Sequence, residues 1–362
     1  MNNQVSSLDK NFRTGELGAS GIDFFNVQEF PFCVEGFAWR VPGGPFFRLP
    51  DTFTDKEINA EALSLSACTA GGVVRFRSNS RWIVVRAVFR NSLDLGRMPR
   101  SGSGGCDLYG ANGCIGHFQY VAEHGLVWLP TAAAAPANEL RFMGMVEPAA
   151  GFPPVEQKLS GSPYGKIIDF QLNMPLYGGI ESLEIGVMPG AALEPPTPRR
   201  ITLPLLFYGE SITQGGCASR AGNSHVSMLG RSLDAEVINM GFSGSGKAES
   251  ALAEAIAKLP LAGMICDLGH APNAPNFLRI IREAQPDLPI LIVSKSYSDE
   301  KLSRTLFEAS DNRHTWFLHG RSIFADNDAC TVDGAHPNDL GFHLMYRAML
   351  PILRQMLTAE KQ

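Results

Sequence analysis

A serine in the C-terminal half of the chain has a setting that suits nucleophilic acyl transfer. Ser211 follows an apolar run and a glycine in the string YGESIT at 208–213. A tight turn after a buried strand exposes a hydroxyl, and the first turn of a following helix offers free backbone N–H groups. Ser211 is therefore a candidate nucleophile, although a serine in this position can also serve only as a helix cap.

A histidine and an aspartate stand three residues apart in the string DGAHPND at 333–339. His336 is a candidate general base because an imidazole titrates near neutrality. Asp333 can fold back onto this ring across Gly334, fix its tautomer and stabilise the imidazolium. The spacing favours a relay with Ser211 over a polar surface turn.

A glycine-rich turn, NMGFSGSGK at 239–247, follows another apolar run. Its backbone N–H groups can approach a ligand closely and could line an oxyanion hole. A phosphate loop is the second interpretation, because 241–247 matches most of a Walker A motif and Asp267 resembles the end of a Walker B strand. Ala248 stands where the Walker motif requires Ser or Thr, which weakens that interpretation. A turn with no function is the third.

A side-chain amide follows a third apolar run in CDLGHAPN at 266–273. Asn273 is a candidate oxyanion donor, because a positioned amide stabilises developing negative charge. It can equally serve the proline-flanked turn in which it lies.

The elements that must hold these loops alternate in type after residue 200. Five apolar runs predict buried strands over Leu203–Tyr208, Glu236–Met240, Met264–Leu268, Pro289–Ser294 and Thr315–Leu318. Helices are predicted over Ser224–Leu233, Lys247–Leu259, Asn276–Ala284, Glu300–Ala309 and Asp339–Leu357. This alternation predicts a parallel sheet covered on both faces. Ligands bind beyond the carboxyl ends of such strands, where the candidate loops lie.

The N-terminal half has short, alternating runs that are typical of half-buried strands. They lie over Gly72–Ser78, Trp82–Phe89, Gly125–Leu129, Leu140–Val146, Ile167–Leu172 and Ser182–Val187. Turns rich in Gly, Pro, Asn and Ser separate them, which predicts an antiparallel sandwich or jelly roll. Four prolines in PGAALEPPTPRR predict a linker at 189–200, between domains at 1–188 and 201–362.

Composition narrows the possible functions. The formal net charge of -5 gives no basic footprint for nucleic acid, and no apolar run is long enough to cross a bilayer. The polar start lacks an apolar signal core, so we expect a cytoplasmic protein, or a secreted one whose signal was removed.

Seven cysteines without a CxxC spacing predict free thiols, with one Cys106–Cys114 disulfide left open. Metal-ligand spacings such as HExxH are absent, and we expect no structural metal.

The segments together resemble the SGNH/GDSL hydrolase superfamily from about 201 to 357. The clearest matches are FYGESITQGGCASRAGN at 207–223 and DGAHPNDLGF at 333–342. The strings TAGGVVRFRSNS at 69–80 and MPLYGGIESLEIGV at 174–187 resemble the β domain of bacterial carbohydrate-esterase-like members. The resemblance implies a jelly-roll-like antiparallel β-sandwich followed by a three-layer α/β SGNH hydrolase domain with about five parallel strands.

The resemblance also implies roles for individual residues. Ser211 would be the nucleophile and contribute its own N–H to the oxyanion hole, Gly244 a second N–H, and Asn273 a side-chain amide. His336 would be the base, oriented by Asp333.

Two positions depart from the family's pattern. Glu210 replaces the Asp of the usual GDS block. In the third block, Ala271 and Pro272 separate the expected His-Asn pair, so that Asn276 or His270 could replace Asn273 as the donor.

The implied function is a serine esterase that hydrolyses short acyl esters, with an acetyl group on a carbohydrate as the expected substrate. Its partner would be a small-molecule or oligosaccharide ester, with no cofactor required. Three alternatives stay open: a lipid esterase or thioesterase with the same triad, a P-loop-like nucleotide-binding protein, and a catalytically silent sugar-binding protein.

Overall fold

The computed structural model of the protein describes residues 22–80, 82–91, 95–110, 113–117, 139–145, 166–269, 271–294, 301–310, 313–324 and 328–359. The predicted strand over Gly125–Leu129 and the candidate donor His270 lie outside these ranges. No helix within them combines the length and the apolar character that a bilayer span requires.

The N-terminal half forms two antiparallel sheets. Its strands are β1 Asp23–Asn26, β2 Cys33–Glu35, β3 Val73–Ser78, β4 Trp82–Asn91, β5 Asp107–Gly110, β6 Gly113–His117, β7 Glu139–Met145, β8 Ile168–Asn173, β9 Gly179–Val187 and β10 Leu193–Glu194. One sheet has the order β1-β9-β4-β7 and the other the order β10-β3-β8-β5-β6, with β2 paired to β3. Two short helices, α1 Ala60–Leu65 and α2 Arg100–Ser103, interrupt the strands.

The alternation of apolar residues explains why the two sheets pack together. Ile83, Val85 and Ala87 are every second residue of β4, and each is 0% exposed in a core shared with β3 and β8. On the facing sheet Phe76 and Phe170 are directly paired, and their ring centroids stack at 5.2 Å. The predicted antiparallel sandwich is confirmed.

The proline-rich stretch at 189–200 contains the two-residue strand β10. Leu193 pairs with Ser78 and Glu194 with Arg77 at the edge of β3. This part of the stretch therefore extends the N-terminal sheet before the chain enters the second half. The domain boundaries themselves stay a prediction.

The C-terminal half has a five-stranded parallel sheet in the order β12-β11-β13-β14-β15. Its strands are β11 Ile201–Gly209, β12 Ala235–Gly241, β13 Gly263–Cys266, β14 Ile290–Val293 and β15 Thr315–Leu318. The helices are α3 Ser211–Gln214, α4 His225–Leu233, α5 Ser250–Ile256, α6 Ala274–Ala284, α7 Lys301–Glu308 and α8 Asp339–Ala359.

The central strand β11 shows that both faces of the sheet are covered. Leu205 and Phe207 belong to the core formed with α4 and α8, whereas Leu206 and Tyr208 belong to the core formed with α5 and α6. A strand that is apolar on both faces is typical of a parallel sheet between helical layers. The predicted three-layer α/β architecture is confirmed.

Helix boundaries differ from the prediction where local turn chemistry intervenes. Helix α5 begins at Ser250, not Lys247, because the chain is still in a turn at Ala248, where φ is +58°. The Tyr208 hydroxyl accepts the Ala248 N–H at 2.6 Å and fixes this turn. Helix α6 begins two residues earlier than predicted because Pro275 is accommodated in the first helical turn.

All seven cysteines are free thiols. Cys106 is buried and Cys114 is exposed, and no disulfide joins them. The expectation of free thiols is met, and the disulfide left open by the sequence is not formed.

A buried histidine opens helix α4. His225 is 2% exposed, and its ring stacks on Phe342 with centroids 5.6 Å apart. Burial lowers the pKa of His225 to about 3. In the described part of the chain its Nδ1 atom has no hydrogen-bond partner. His225 is therefore held neutral in the folded state.

This neutral histidine makes the stability of the fold dependent on pH. An unfolded histidine takes up a proton below about pH 6.5, so the unfolded state gains protons first as the pH falls. From pH 7 to pH 5, wild type should lose about 2 kcal/mol more free energy of unfolding than His225→Phe, which preserves the stack. Urea denaturation at several pH values measures this, with His343→Phe at an exposed site as the control. Parallel pH profiles for wild type and His225→Phe would show that His225 is not the source.

Candidate active site

Ser211 lies at the sharp turn between β11 and α3. Glycines permit this turn because the backbone of one element approaches the other closely. A Cβ atom on Gly209 would lie 2.2 Å from Thr213 Oγ1, and one on Gly241 would lie 2.2 Å from the backbone N of Gln214. Any side chain at these positions would push α3 away from the strand ends. Ser211 therefore occupies the strand-to-helix turn that the sequence predicts.

The predicted serine, histidine and aspartate come together in the structure. Ser211 Oγ lies 3.0 Å from His336 Nε2, and His336 Nδ1 lies 2.9 Å from Asp333 Oδ2. The side chains of His336 and Asp333 are 29% and 18% exposed, so the ring is reachable from solvent. With the proton on Nδ1, Nε2 is free to accept the serine proton. This geometry is the one that a nucleophilic serine with an oriented base requires.

The loop that carries the base is a closed turn. Val332 donates its N–H to the carbonyl of His336 at 2.9 Å, and Gly334 donates its N–H to Thr331 Oγ1 at 3.1 Å. Gly334 has φ +83°, a conformation that side chains other than glycine rarely adopt. The three-residue spacing thus brings the aspartate under the imidazole.

The Asp333 carboxylate accepts hydrogen bonds from four donors. Its Oδ1 accepts the N–H groups of Ala335 at 3.1 Å and His336 at 2.8 Å, while Oδ2 accepts from the His336 ring and from Arg97 Nη1. These bonds hold the pKa of Asp333 well below its usual range, the backbone N–H of His336 contributing most. The carboxylate is therefore ionised wherever a histidine can act as a base.

A second aspartate ties the histidine loop to the segment that follows α3. Asp339, the first residue of α8, accepts the N–H of Ser219 at 2.8 Å, the Ser219 hydroxyl, and Asn223 Nδ2 at 2.9 Å. The sequence offered one signal for it, a carboxylate in the first turn of a predicted helix. Its partners could not be foreseen, because they lie 116 and 120 positions earlier.

The backbone groups predicted for the oxyanion hole lie at the ends of two adjacent strands. Ser211 follows β11, and Gly244, at φ +67°, lies in the exposed turn after β12. Within the described residues, neither the Ser211 N–H nor the Gly244 N–H donates to another protein group. Both remain available to a ligand, and their role as oxyanion donors stays a prediction.

The residues of the Walker interpretation are arranged differently from a phosphate loop. Lys247 Nζ donates to the carbonyl of Gly244 at 3.1 Å, within the same turn. Helix α5 begins only at Ser250, so its N-terminus does not follow the lysine directly. The geometry gives the nucleotide alternative no support.

The two side-chain amides predicted as oxyanion donors differ in their contacts. Asn273 is exposed just before α6, and its amide makes no hydrogen bond within the described part of the chain. The Asn276 amide already donates to Ser250 Oγ at 2.8 Å, and its oxygen accepts from Arg279 at 2.7 Å. Asn276 is thus engaged elsewhere, while the assignment to Asn273 stays a prediction.

Sequence reasoning missed a contribution from the N-terminal half. Arg97, which is 70% exposed, donates to Asp333, and Ser101 donates its hydroxyl to the carbonyl of Ser219 at 2.5 Å. A Cβ atom on Gly102 would lie 2.0 Å from the Ala218 carbonyl oxygen. The string RMPRSGSGG at 97–105 reads as a turn between strands, and its arginine gives no sign of a partner 236 positions away.

Comparison with protein families gives two matches. Residues 202–319 match the GDSL-like Lipase/Acylhydrolase family. Residues 22–128 match the family described as the N-terminus of Esterase_SGNH_hydro-type. The search of curated proteins found no match.

Three solved structures are similar to this chain over more than nine-tenths of its length. A protein described as a GDSL-like lipase from Bacteroides ovatus has a TM-score of 0.71 at 24% identity, over 93% of this chain and 98% of that one. The salicylyl-acyltransferase SsfX3 from a tetracycline biosynthetic pathway has a TM-score of 0.70 at 16% identity, and the match covers 94% of this chain and 100% of that one. A family two carbohydrate esterase from Cellvibrio japonicus has a TM-score of 0.55 at 12% identity, and the match covers 93% of this chain and 98% of that one. At these identities the similarity establishes the fold.

The contact between Arg97 and Asp333 predicts a shift in the pH dependence of activity. The guanidinium next to Asp333 disfavours a positive charge on the neighbouring imidazole. In Arg97→Met the protonated ring is therefore favoured, and the acid limb of kcat/KM should move to higher pH. Because Arg97 is largely exposed, we expect a shift of about 0.2–0.5 pH unit.

The measurement is kcat/KM for p-nitrophenyl acetate from pH 5 to 9. Arg279→Met is the control, since Arg279 is also exposed and pairs with a carboxylate, Glu283, on helix α6. An unchanged acid limb in Arg97→Met, or a shift to lower pH, would contradict the assignment.

Proposed function

We propose that the chain is an ester hydrolase of the SGNH/GDSL type that cleaves short acyl esters of carbohydrates with Ser211, His336 and Asp333. The observation that carries this proposal is the continuous relay from Ser211 Oγ to His336 Nε2 at 3.0 Å and from His336 Nδ1 to Asp333 Oδ2 at 2.9 Å. A hydroxyl is a weak nucleophile at neutral pH unless a base removes its proton during attack.

The proposed reaction has two acyl-transfer steps. Ser211 Oγ attacks the ester carbonyl carbon while its proton passes to His336 Nε2, which forms a tetrahedral oxyanion. The C–O bond to the alcohol then breaks, and the imidazolium gives its proton to the leaving oxygen. Water, activated by the same imidazole, attacks the acyl-enzyme, and the acid leaves with Ser211 restored.

Charge stabilisation divides between the two ends of the relay. The ionised Asp333 stabilises the imidazolium that forms in each step. The N–H groups of Ser211 and Gly244, supplemented by the Asn273 amide, stabilise the oxyanion. One such donor contributes about 3–4 kcal/mol to the transition state in well-studied acyl transfer. All groups in this scheme belong to the chain itself.

The proposed substrate class follows from structures that share this fold. Two of the structures that share this fold are family two carbohydrate esterases, one of them determined in complex with cellohexaose. A β-sandwich set beside the catalytic loops offers a surface on which a sugar could be held. A lipid esterase or thioesterase would use the same relay and differ in the acyl chain that it accepts.

Removal of the nucleophile tests the reaction type. In Ser211→Ala we expect kcat for p-nitrophenyl acetate to fall by about 10⁴-fold or more, because the proposed acyl-enzyme forms on the Ser211 hydroxyl. The control is Ser310→Ala, because the Ser310 hydroxyl donates to the carbonyl of Phe307 at the end of α7 and takes no part in the relay. A fluorophosphonate probe with peptide mapping should label Ser211 in wild type. Turnover that survives in Ser211→Ala, or labelling at another residue, would refute the assignment.

The acyl chain length separates the substrate classes. We expect kcat/KM to be highest for the p-nitrophenyl acetate ester and to fall as the acyl chain lengthens, and acetate to be released from acetylated polysaccharide. A preference for decanoate or longer chains would instead identify a lipid esterase or thioesterase. Because the salicylyl-acyltransferase shares this fold, the products should also be analysed in the presence of added alcohols, to detect acyl transfer to an alcohol in place of water.

Nucleotide binding that depends on Mg²⁺ would favour the Walker interpretation.

A further inference from the structure

A buried polar cluster lies beneath the glycine-rich turn, and the proposed reaction does not use it directly. It consists of Arg48 from the N-terminal half, and Asn239 and Gln214 from the C-terminal half. Each of the three residues is 0% exposed. Buried polar groups of this size are costly unless their hydrogen bonds are satisfied, so their placement calls for a reason.

Arg48 binds backbone carbonyls on both sides of the boundary between the two halves. Its Nε donates to Cys68 at 2.9 Å and its Nη2 to Leu65 at 2.8 Å. Its Nη1 donates to the carbonyls of Asn239 at 3.0 Å and Gly241 at 2.6 Å, at the end of β12. The guanidinium also lies over the ring of Phe242, 4.6 Å from the centroid.

The described residues provide no carboxylate partner for this buried cation. Burial lowers the pKa of Arg48 to about 10, so the group still carries its charge at neutral pH. Well-packed apolar residues often replace buried charged groups without loss of stability. Stability alone therefore gives a poor reason for an arginine here, whereas the need to hold particular carbonyls gives a direct one.

One of the carbonyls that accept from Arg48 is connected by a hydrogen bond to the turn that carries Ser211. The N–H of Phe242, in the same peptide group as the Gly241 carbonyl, donates to the carbonyl of Gly209 at 3.0 Å. Gly209 is two residues before Ser211 in the chain. One peptide group thus connects the guanidinium to the turn that carries the nucleophile.

The other two members of the cluster connect the glycine-rich turn to α3. Asn239 Nδ2 donates to the carbonyl of Thr213 at 2.8 Å, and its Oδ1 accepts the Gly241 N–H at 2.9 Å. Gln214 Oε1 accepts the N–H of Ser243 at 3.0 Å, and its Nε2 donates to the Leu176 carbonyl of the N-terminal half at 3.1 Å. Ser243 immediately precedes Gly244.

Gly244 itself is not held by packing. A Cβ atom built on it would meet no atom within 4 Å, and it is exposed at φ +67°. The direction of its N–H therefore depends on the hydrogen bonds made by its neighbours. A displacement of about 1 Å at a reacting group can cost about 100-fold in rate.

We propose that Arg48 is a positioning residue for acyl transfer, which holds the Gly241–Gly244 backbone so that the Gly244 N–H points at the oxyanion. This inference rests on the proposed function. It makes the N-terminal half a part of the catalytic apparatus rather than only a surface for substrate.

The test compares Arg48→Met and Arg48→Lys with wild type, using p-nitrophenyl acetate and an alkylboronic acid that forms a tetrahedral adduct with a catalytic serine. In Arg48→Met we expect kcat to fall about 10–100-fold, with KM changed less than about threefold. The boronate inhibition constant should rise by the same factor as kcat falls. Arg48→Lys should retain an intermediate rate, because it keeps the charge and loses the forked geometry.

Arg75→Met is the matched control, since Arg75 is also a buried arginine of the N-terminal half and pairs with Glu35 at 2.9 Å. It should lower the melting temperature without lowering kcat. If Arg48→Met does not fold, Gln214→Met carries the test, because it removes the anchor of Ser243 and should show the same parallel change in kcat and boronate binding.

Failure of the positioning role can be distinguished from failure of the proposed function. If wild type turns over esters and kcat and boronate binding are unchanged in the folded variant, the positioning role is wrong and the proposed function stands. If wild type has no ester turnover and no reactive serine, the proposed function fails and this inference fails with it.

Discussion

The hydrogen bond between Ser211 Oγ and His336 Nε2 joins residues that are 125 positions apart in the chain. The rest of the structure can be understood as the means of keeping that distance. Ser211 is fixed by the turn between β11 and α3, which glycines make possible. His336 is fixed by a turn of its own, closed on Asp333, and by Asp339 at the start of α8. Displacement of either turn would break a contact that no local sequence preference could restore.

The interface between the halves contributes to the same constraint. Asp107, fully buried in the N-terminal sheet, accepts the N–H of Gly222 at 2.9 Å and Arg220 Nη1 at 3.1 Å. Arg48 and Arg97 add contacts at the glycine-rich turn and at Asp333. Loss of Arg220 would leave the buried Asp107 carboxylate without its charged partner, which is strongly destabilising. The two halves are therefore coupled through charged groups close to the catalytic loops.

Much of the fold and the core of the site could be predicted from the sequence because they depend on local patterns. The five apolar runs after residue 200 correspond to β11–β15, and the alternation in Trp82–Phe89 corresponds to β4. The Asp333–His336 spacing and the serine after β11 place chemistry at strand ends, where parallel sheets bind ligands.

The contacts that could not be predicted join residues far apart in the chain. Arg48 and Arg97 are ordinary residues in turn-rich segments, and their partners are about 190 and 236 positions away. The third oxyanion donor could not be predicted for a different reason, since Asn273 lies in a turn whose local sequence suits a structural role equally well.

A transient acyl-enzyme would be the most direct sign that the relay performs acyl transfer. Wild type mixed rapidly with p-nitrophenyl acetate and quenched in acid should carry one acetyl group. Peptide mass mapping should place that group on Ser211, and its formation should match an initial burst of p-nitrophenol. An acetyl group found on another residue, or steady hydrolysis in which the whole protein never gains an acetyl group under conditions where acylation is fast, would contradict the central role given to Ser211 and His336.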